Sequence, residues 1–322
     1  MLGAGAWGTA LATCAHAAGR DVRLWAREPE LAQDINAGRG NTIYLPDVSL
    51  PPLVASAEMS VLAECDAILA VVPAQHLAGA LRTLSGAIAP ETPIALCAKG
   101  LIQEGLRWPT DTLAEHFPDA PPAVLSGPSF AIDVANGLPT AVTLATPDRA
   151  NGEAWARSLG QSSFRMYLSD DMIGAEVGGA VKNVLAIACG ACEGLGLGKS
   201  AHAALIARGF AEMQRLARAL GAKSETLAGL SGLGDLVLTC SSPQSRNMSF
   251  GTALGKGRSA AGVLAERRAV TEGAATAPAL VELAARHGVE MPICTIVAEL
   301  VADRLSAGDA LKLLLERPFK EE

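Results

Sequence analysis

The chain opens with MLGAGAWGTALA (residues 1–12), in which Gly3, Gly5 and Gly8 form the pattern Gly-x-Gly-x-x-Gly. A helical spacing of small and apolar residues follows at once and stops at Gly19. Strand-like alternation begins after it, so the glycines stand within one predicted strand–helix–strand unit. Glycines in that setting let a dinucleotide pyrophosphate approach the backbone at a helix N-terminus. The opening therefore predicts a dinucleotide-binding site in a doubly wound α/β domain of the Rossmann type.

The same opening departs from the usual pattern in two places. Only Met1 and Leu2 precede the first glycine, so we expect the first, central strand of the sheet to be truncated. About twenty residues beyond the glycines, an NAD-selective site carries Asp or Glu. This chain has Arg27 there, followed by Glu28. Because an arginine suits the 2′-phosphate of NADP, we expect NADP to be preferred over NAD.

Nearly continuous apolar runs predict further strands, buried on both faces of a parallel sheet. Residues 66–73 and 93–98 are such runs, and the second ends at Lys99. Doubly wound sheets bind ligands at the carboxyl ends of their strands, so Lys99 falls on the ligand side. A solvated loop lysine would have the same sequence signature. Strand signals recur at residues 140–145 and 164–167.

A Ser/Gly turn follows another predicted strand at residues 123–125. This turn reads SGPSFA (residues 126–131). It offers hydroxyl and backbone N–H groups to an anion or a carbonyl. Its two serines, Ser126 and Ser129, could equally be N-caps of the next helix.

Helical periodicity replaces the strand signals from Asp170 onward. We therefore predict a Rossmann domain over residues 1–169 and a helical domain over residues 170–322.

The first helix of the helical domain contains GGAVKNV (residues 178–184), in which Lys182 and Asn183 stand among small and apolar residues. A buried lysine loses hydration and needs partners or a lowered pKa. A surface lysine instead lays its stem along the helix and keeps its head in water. If Lys182 is functional, the neighbouring small residues Gly178, Gly179 and Ala180 would let cofactor and substrate pack against this helix.

Two polar clusters follow in the helical domain. Asp235 stands in LSGLGDLVLTC (residues 230–240), between glycines and an aliphatic run. A carboxylate in such surroundings needs a cation or several N–H donors. Ser245, Arg246 and Asn247 form a compact donor set of the kind that binds phosphate. Arg246 alone could also form a surface salt bridge.

Composition limits the classes of function. The chain has 322 residues, of which 50% are hydrophobic and 4% aromatic, as in a globular chain of about two domains. Its net charge of -7 argues against a general nucleic-acid or anionic-membrane partner. The Cys-x-x-Cys pair at Cys189 and Cys192 has no second pair to complete a zinc site, so we expect reduced thiols and no metal. Without a signal peptide or a membrane-length apolar run, we expect a cytoplasmic protein with no stable membrane insertion.

Six motifs in order give the chain a family resemblance. They are GAGAWG (residues 3–8), AKG (98–100), SGPSFA (126–131), GGAVKNV (178–184), GLGDLVLTC (232–240) and SRN (245–247). Together they resemble the bacterial NAD(P)-dependent glycerol-3-phosphate dehydrogenases over essentially the whole chain. The resemblance implies an N-terminal Rossmann domain and an all-helical C-terminal domain of the 6-phosphogluconate dehydrogenase-like type.

The resemblance also implies an activity. Dihydroxyacetone phosphate would be reduced to sn-glycerol 3-phosphate by reversible hydride transfer from NADPH or NADH, supplying glycerophospholipid synthesis. The expected partners are this small phosphate substrate and a second copy of the chain in a homodimer, with no nucleic acid.

Residue roles follow from the resemblance position by position. The implied cofactor contacts are Gly3, Gly5, Ala6, Trp7, Gly8, Arg27, Lys99, Ala131, Arg246, Val270 and Glu272. The implied substrate contacts are Lys99, Gly127, Ser129, Lys182, Asn183, Asp235, Ser245, Arg246 and Asn247. Lys182 would be the proton donor and acceptor, Asp235 its carboxylate partner, and Lys99 a further catalytic cation. Thr271 departs from the family, which more often has an aliphatic residue there.

The protonation of Lys182 is the open point in this scheme. A free lysine, with a pKa near ~10.4, is a poor base at neutral pH. Burial and a nearby Lys99 would lower the pKa of Lys182, whereas Asp235 would raise it and fix the orientation of the ammonium group. The sequence leaves the net direction undecided.

Two other functions fit parts of the sequence. A 2-hydroxyacid or 6-phosphogluconate-type dehydrogenase would share the Rossmann domain and a similar lysine-bearing helix, but Ser245, Arg246 and Asn247 favour a small phosphate ester. A nucleotide-binding sensor or scaffold without catalysis would share the glycine loop, but Lys182 and Asp235 argue against it.

Overall fold

The computed structural model describes residues 1–315, which form two compact units. The first unit contains residues 1–99 and 107–176. The second contains residues 100–106 and the described residues from 177 onward.

The first unit is built on a mixed sheet with the strand order β2-β1 on one side and β3-β4-β5-β6-β7 on the other. Its strands are β1 (Arg23–Trp25), β2 (Val54–Ser56), β3 (Ile68–Ala70), β4 (Ile94–Leu96), β5 (Pro122–Ser126), β6 (Thr140–Ala145) and β7 (Phe164–Ser169). Strands β1 to β5 run parallel, and the parallel pair β6–β7 joins β5 in the antiparallel direction. The carboxyl ends of β1, β3, β4 and β5 therefore share one edge of the sheet.

Leu2, near the start of the chain, joins the two parts of this sheet. Leu2 forms parallel bridges to Trp25 of β1 and Ala70 of β3. Its N–H donates to the carbonyl of Leu69 at 2.9 Å, and its carbonyl accepts from Val71 N–H at 2.8 Å. Leu2 is fully buried. A single residue thus supplies the central position that the doubly wound topology requires.

Aliphatic residues dominate the core of the first unit. Its helices are α1 (Ala6–Ala17), α2 (Pro29–Asn36), α3 (Leu77–Leu84), α4 (Pro109–His116), α5 (Ala131–Ala135) and α6 (Arg149–Leu159). The β4 strand is buried along its whole length, as its continuous apolar sequence predicts. Leu11 and Ala12 of α1 pack into the same core as Leu24 and Ala95.

The second unit is helical throughout its described part, apart from turns and loops. Its helices are α7 (Met172–Gly194), which begins in the first unit, α8 (Gly198–Ala219), α9 (Ser224–Ala228), α10 (Asp235–Ser241), α11 (Arg246–Gly255), α12 (Ala260–Ala265), α13 (Glu272–Arg286), α14 (Pro292–Val301) and α15 (Ala307–Leu315). A π-helical turn, Leu230–Gly234, leads into α10. The predicted fold class, a Rossmann sheet followed by a helical half, is confirmed.

Helix α7 is the central element of the second unit. Asp171 caps its start, because the carboxylate accepts a hydrogen bond from Gly174 N–H at 2.9 Å. By length and composition alone α7 could cross a membrane, but 83% of its apolar 18-residue stretch is buried inside the protein. Such burial is typical of a core helix.

Glycines fix the crossing of α7 and α11. A Cβ added at Gly190 or Gly251 would lie 2.0 Å from a backbone oxygen of the other helix. At Gly194 and Gly255 the same distance would be 2.4 Å. Two Gly-x-x-x-Gly pairs therefore face each other, and the helix backbones approach more closely than any side chain would allow.

Candidate active site

The glycine loop of the first unit has the geometry that a pyrophosphate needs. Gly3 has φ +116, and a Cβ there would lie 3.1 Å from the Val71 carbonyl oxygen. A Cβ at Gly8 would lie 2.0 Å from the Gly3 carbonyl oxygen, whereas a Cβ at Gly5 would have no atom within 4 Å. Helix α1 begins at Ala6, directly after Gly5, and no side chain caps its N-terminus. The open space at Gly5 therefore fits a dinucleotide phosphate group.

A buried asparagine supports this loop. The Asn41 side-chain amide donates to the Ala4 carbonyl at 2.9 Å and to the Thr9 hydroxyl at 2.7 Å. Trp7, next to the N-terminus of α1, has a buried indole nitrogen without a hydrogen-bond partner among the described residues. The loop is thus supported by Asn41, a residue outside its own motif.

Arg27 lies two residues beyond β1, at the carboxyl edge of the sheet. Its side chain is 70% exposed and donates to the Glu28 carboxylate at 2.6 Å. A contact of Arg27 with the adenosine end of a dinucleotide stays a prediction.

Lys99, Gly127 and Ser129 come together in the first unit. The Lys99 ammonium group donates to the Gly127 carbonyl at 2.9 Å, and so does the Ser129 hydroxyl at 3.1 Å. Gly127 has φ +140, and a Cβ there would lie 3.0 Å from Val142 Cα. Neither serine of the turn caps α5, because its N-cap is Phe130, without a side-chain bond. The N-cap interpretation of Ser126 and Ser129 is therefore wrong.

Lys182 and Asp235 form a buried ion pair in the second unit. The ammonium group of Lys182 donates to the Asp235 carboxylate at 2.6 Å and to the Thr239 hydroxyl at 2.9 Å. Lys182 is 6% exposed and Asp235 is 1% exposed. The structure therefore rules out a lysine whose head reaches water. It also supplies the cation that a carboxylate in an aliphatic run requires.

Local packing brings the two charges together. Asp235 is the first residue of α10, directly after the π-helical turn. A Cβ at Gly178 of α7 would lie 2.2 Å from the Ser231 carbonyl oxygen in that turn. Backbone, rather than substrate or cofactor, therefore fills the space at Gly178. The expectation that this glycine makes room for ligands is wrong.

Asn247 connects three helices of the second unit. Its side-chain carbonyl accepts from Gly273 N–H at 2.9 Å, and its amide donates to the Asn183 side-chain oxygen at 2.9 Å. Ser245 is the N-cap of α11 and accepts from Met248 N–H at 3.2 Å. Asn183, Ser245 and Asn247 are all buried. The predicted donor set therefore lies at the start of α11, where the helix dipole favours an anion.

Arg246 occupies the first turn of α11 with an exposed side chain. Surrounding protein atoms lower its pKa by desolvation, and the charge of Glu272 at the start of α13 opposes this shift. The backbone carbonyl of Arg246 accepts a hydrogen bond of 2.7 Å from the Arg267 guanidinium. The same guanidinium lies over the Phe250 ring, 5.7 Å from the ring centroid. Arg246 remains charged, because an arginine stays protonated in proteins.

Family models decide what this architecture belongs to. The model for the N-terminus of NAD-dependent glycerol-3-phosphate dehydrogenase matches residues 1–152, and the model for its C-terminus matches residues 171–312. The chain belongs to this family.

Individual relatives agree with this membership. The glycerol-3-phosphate dehydrogenase of Maricaulis maris, named for NAD(P)+, is 63% identical, over 100% of this chain and 97% of the relative. The one from Caulobacter vibrioides is 55% identical, over 100% and 98%. The crystal structure of the Coxiella burnetii glycerol-3-phosphate dehydrogenase is 42% identical, covers 98% of both chains and has a TM-score of 0.94. The predicted family is confirmed, and so is an NAD(P)-dependent oxidoreductase.

A more distant structure shows how widely this fold is shared. A D-mandelate dehydrogenase is 17% identical, with a TM-score of 0.64 over 96% of this chain. That likeness concerns the fold alone.

Sequence reasoning missed several residues around the predicted ones. Thr239 lies four residues after Asp235 in one helix, so helical spacing could have placed both on one face. Asn41 and Arg267 carry no comparable signal, because their partners lie far away in sequence. Among residues 1–315, no group of three or more His, Cys, Asp or Glu side chains could hold a metal ion.

Proposed function

We propose that Lys182 is the proton donor of this NAD(P)-dependent glycerol-3-phosphate dehydrogenase and that Asp235 orients its ammonium group. The enzyme reduces dihydroxyacetone phosphate to sn-glycerol 3-phosphate, and the nicotinamide of NADPH or NADH supplies the hydride. The supporting observation is the buried lysine, with its ammonium group 2.6 Å from the Asp235 carboxylate. A carbonyl that accepts hydride develops negative charge on oxygen. A buried ammonium group stabilises that charge and can protonate it.

The start of α11 is the proposed phosphate site of the substrate. Arg246 supplies a permanent charge, and Ser245 and Asn247 place polar groups at the same helix N-terminus. Asn183 holds the Asn247 amide by a hydrogen bond of 2.9 Å. Charge-assisted bonds from arginine and N–H groups at a helix start are the usual means of holding a phosphate. Lys99, Gly127 and Ser129 are proposed as further substrate contacts, on the family resemblance.

The cofactor is assigned mainly to the proposed Rossmann domain, residues 1–169, with the helical domain at residues 170–322. Gly3, Gly5 and Gly8 leave backbone room for the pyrophosphate at the start of α1. The further proposed contacts are Ala6, Trp7, Arg27, Lys99, Ala131, Arg246, Val270 and Glu272. We further propose a cytoplasmic homodimer, without nucleic-acid partners or membrane insertion, that supplies glycerol 3-phosphate for glycerophospholipid synthesis.

Replacing the lysine tests the proposed proton donor. In Lys182→Met, we expect turnover of dihydroxyacetone phosphate with NADPH to fall by at least about a thousandfold, since both protonation and charge stabilisation are lost. The dissociation constant of NADPH should stay within about twofold, because the glycine loop is untouched. Lys199→Met is the matched control, since the Lys199 side chain is 82% exposed. Near-wild-type turnover in Lys182→Met would rule out the assignment.

A further inference from the structure

Glu28 stands where a helix cap belongs, yet its side chain does not cap the helix. It is the N-cap residue of α2, and no backbone N–H of that helix bonds to its carboxylate. N-caps are usually short side chains such as Ser, Thr, Asp or Asn. The longer Glu28 side chain turns instead toward the carboxyl edge of the sheet, where Arg27 lies.

One oxygen of the Glu28 carboxylate accepts three hydrogen bonds. Arg27 donates to it from Nη2 at 2.6 Å and from Nε at 3.2 Å. The Tyr44 hydroxyl donates to the same oxygen at 3.0 Å. An arginine, a carboxylate and a phenol therefore form one cluster at the place where the adenosine ribose of a dinucleotide is expected.

The two charges of this cluster differ in how firmly they are held. The Arg27 side chain is 70% exposed, whereas the Glu28 side chain is 26% exposed. Tyr44 is anchored through its backbone N–H, which donates to the Asn41 side-chain oxygen at 2.9 Å. Asn41 in turn holds the Ala4 carbonyl of the glycine loop at 2.9 Å. The Glu28 carboxylate is thus connected to the glycine loop through Tyr44 and Asn41, whereas the Arg27 side chain is largely exposed to solvent.

Electrostatics keep the cluster charged at neutral pH. Partial burial acts to raise the pKa of the Glu28 carboxyl, but hydrogen bonds from Arg27 and Tyr44 outweigh it and the net pKa is lowered. The hydrogen bond from Arg27 to Glu28 raises the pKa of the arginine. A full negative charge therefore lies beside the cation that a 2′-phosphate would need.

We propose that Glu28, held by Tyr44, sets the balance between NADPH and NADH. Its carboxylate competes with the 2′-phosphate of NADPH for Arg27, and it accepts the 2′-hydroxyl of NADH as an acidic residue at a strand end does in NAD sites. This inference rests on the proposed role of Arg27 in cofactor binding. It accounts for the use of both cofactors by a site that presents one arginine and one carboxylate side by side.

The test is equilibrium binding to the full chain without substrate, measured by calorimetry. The probes are NADPH, NADH and adenosine 2′,5′-bisphosphate, which carries the 2′-phosphate but no nicotinamide. In Glu28→Gln we expect NADPH and the bisphosphate to bind roughly fivefold more tightly, because a like charge near the phosphate is removed. NADH should bind equally well or more weakly, since an amide is a poorer acceptor than a carboxylate.

Glu30→Gln is the matched control, because Glu30 is an exposed acid on the first turn of the same helix. It removes the same charge, and we expect changes below about twofold for all three probes. Steady-state kcat/KM for NADPH divided by kcat/KM for NADH should rise in Glu28→Gln by the same factor as the binding ratio. Retained NADH binding shows that the variant is folded.

The variant Arg27→Ala tests the proposed cofactor role of Arg27 separately from the proposed role of Glu28. We expect this variant to lose at least about tenfold in NADPH affinity while NADH affinity changes little. If that holds but Glu28→Gln behaves like Glu30→Gln, the Glu28 inference is overturned and the cluster is a surface ion pair. If Arg27→Ala leaves NADPH binding unchanged, the cofactor role of Arg27 fails, and the inference fails with it.

Discussion

Lys182 and Asp235 depend on each other at the residue scale, because neither charge has the solvent contact to be stable alone. Removing one partner of a buried ion pair leaves the other uncompensated. We expect Asp235→Asn to lower the free energy of unfolding by about 3 kcal/mol and to reduce turnover. The double variant Lys182→Met with Asp235→Leu should regain most of the stability but none of the activity. Urea unfolding measures both changes, and equal stability of the single and double variants would contradict the pairing.

Glu176 makes the stability of the first unit depend on pH. This buried carboxyl group on α7 accepts from Thr110 N–H at 2.9 Å and from the Thr110 hydroxyl at 2.7 Å. Burial raises its pKa from 4.5 to about 8, and the two bonds from Thr110 only partly oppose this shift. The folded state therefore binds a proton that the unfolded chain has released across that range.

The sign of the pH dependence follows from linkage. Between pH 4.5 and about 8, this group's contribution to stability falls as pH rises, by at most about 1.4 kcal/mol per pH unit. Below and above that window its contribution is constant. Urea unfolding at several pH values should show that wild type loses stability relative to Glu176→Gln as pH rises. Glu91→Gln, at an exposed position, should run parallel to wild type. If the stability of Glu176→Gln changed with pH in parallel with that of wild type, a raised pKa of Glu176 would be excluded.

At the scale of elements, the contact of α7 with α11 joins the lysine-bearing helix to the helix with the proposed phosphate donors. Gly251→Ala places a Cβ 2.0 Å from the Ile187 carbonyl oxygen, which no rotamer can avoid. We expect the free energy of unfolding to fall by about 3 kcal/mol or more, because overpacking against backbone must separate the helices. Gly308→Ala in α15 is the control, since its nearest atom would be 3.9 Å away. It should be neutral or stabilising.

Helices and strands were predictable where their sequence pattern involves only neighbouring residues. Strand β6 has the predicted bounds Thr140–Ala145. Helix α13 begins at Glu272 and contains Pro278 in its interior. Proline favours a first turn, and tertiary packing overrides that preference here. The π-helical turn before Asp235 has no periodic signal at all.

The site was predictable as a set of motifs, but most of its contacts were not. Lys182 and Asp235 could be picked out as charges in apolar surroundings that need partners. Their 2.6 Å pairing joins residues 53 positions apart, which sequence periodicity does not report. The same holds for Asn247, whose bonds to Asn183 and Gly273 connect three helices. Long-range contacts of this kind arise from packing. The family resemblance implied the pairing of Lys182 with Asp235, whereas the bonds of Asn247 are seen in the structure alone.

At the scale of the whole molecule, the chain binds anions despite a net charge of -7. Overall charge therefore cannot attract a phosphate ester, and binding must rest on local donors. The glycine loop at Gly3 to Gly8 belongs to the first unit, and the start of α11 at Arg246 belongs to the second. Each unit carries its own anion site in the proposed assignment.

Hydrogen exchange of the full chain can test this division of ligands. We expect NADPH alone to slow amide exchange in residues 3–9, because a bound pyrophosphate engages the N-terminal amides of α1. Glycerol 3-phosphate alone should slow exchange in residues 245–249, at the start of α11. Glycerol, which lacks the phosphate, is the control and should protect neither segment at the same concentration. Protection by glycerol 3-phosphate confined to the glycine loop would refute the proposed phosphate site, since the ester would then be held by the nucleotide loop instead.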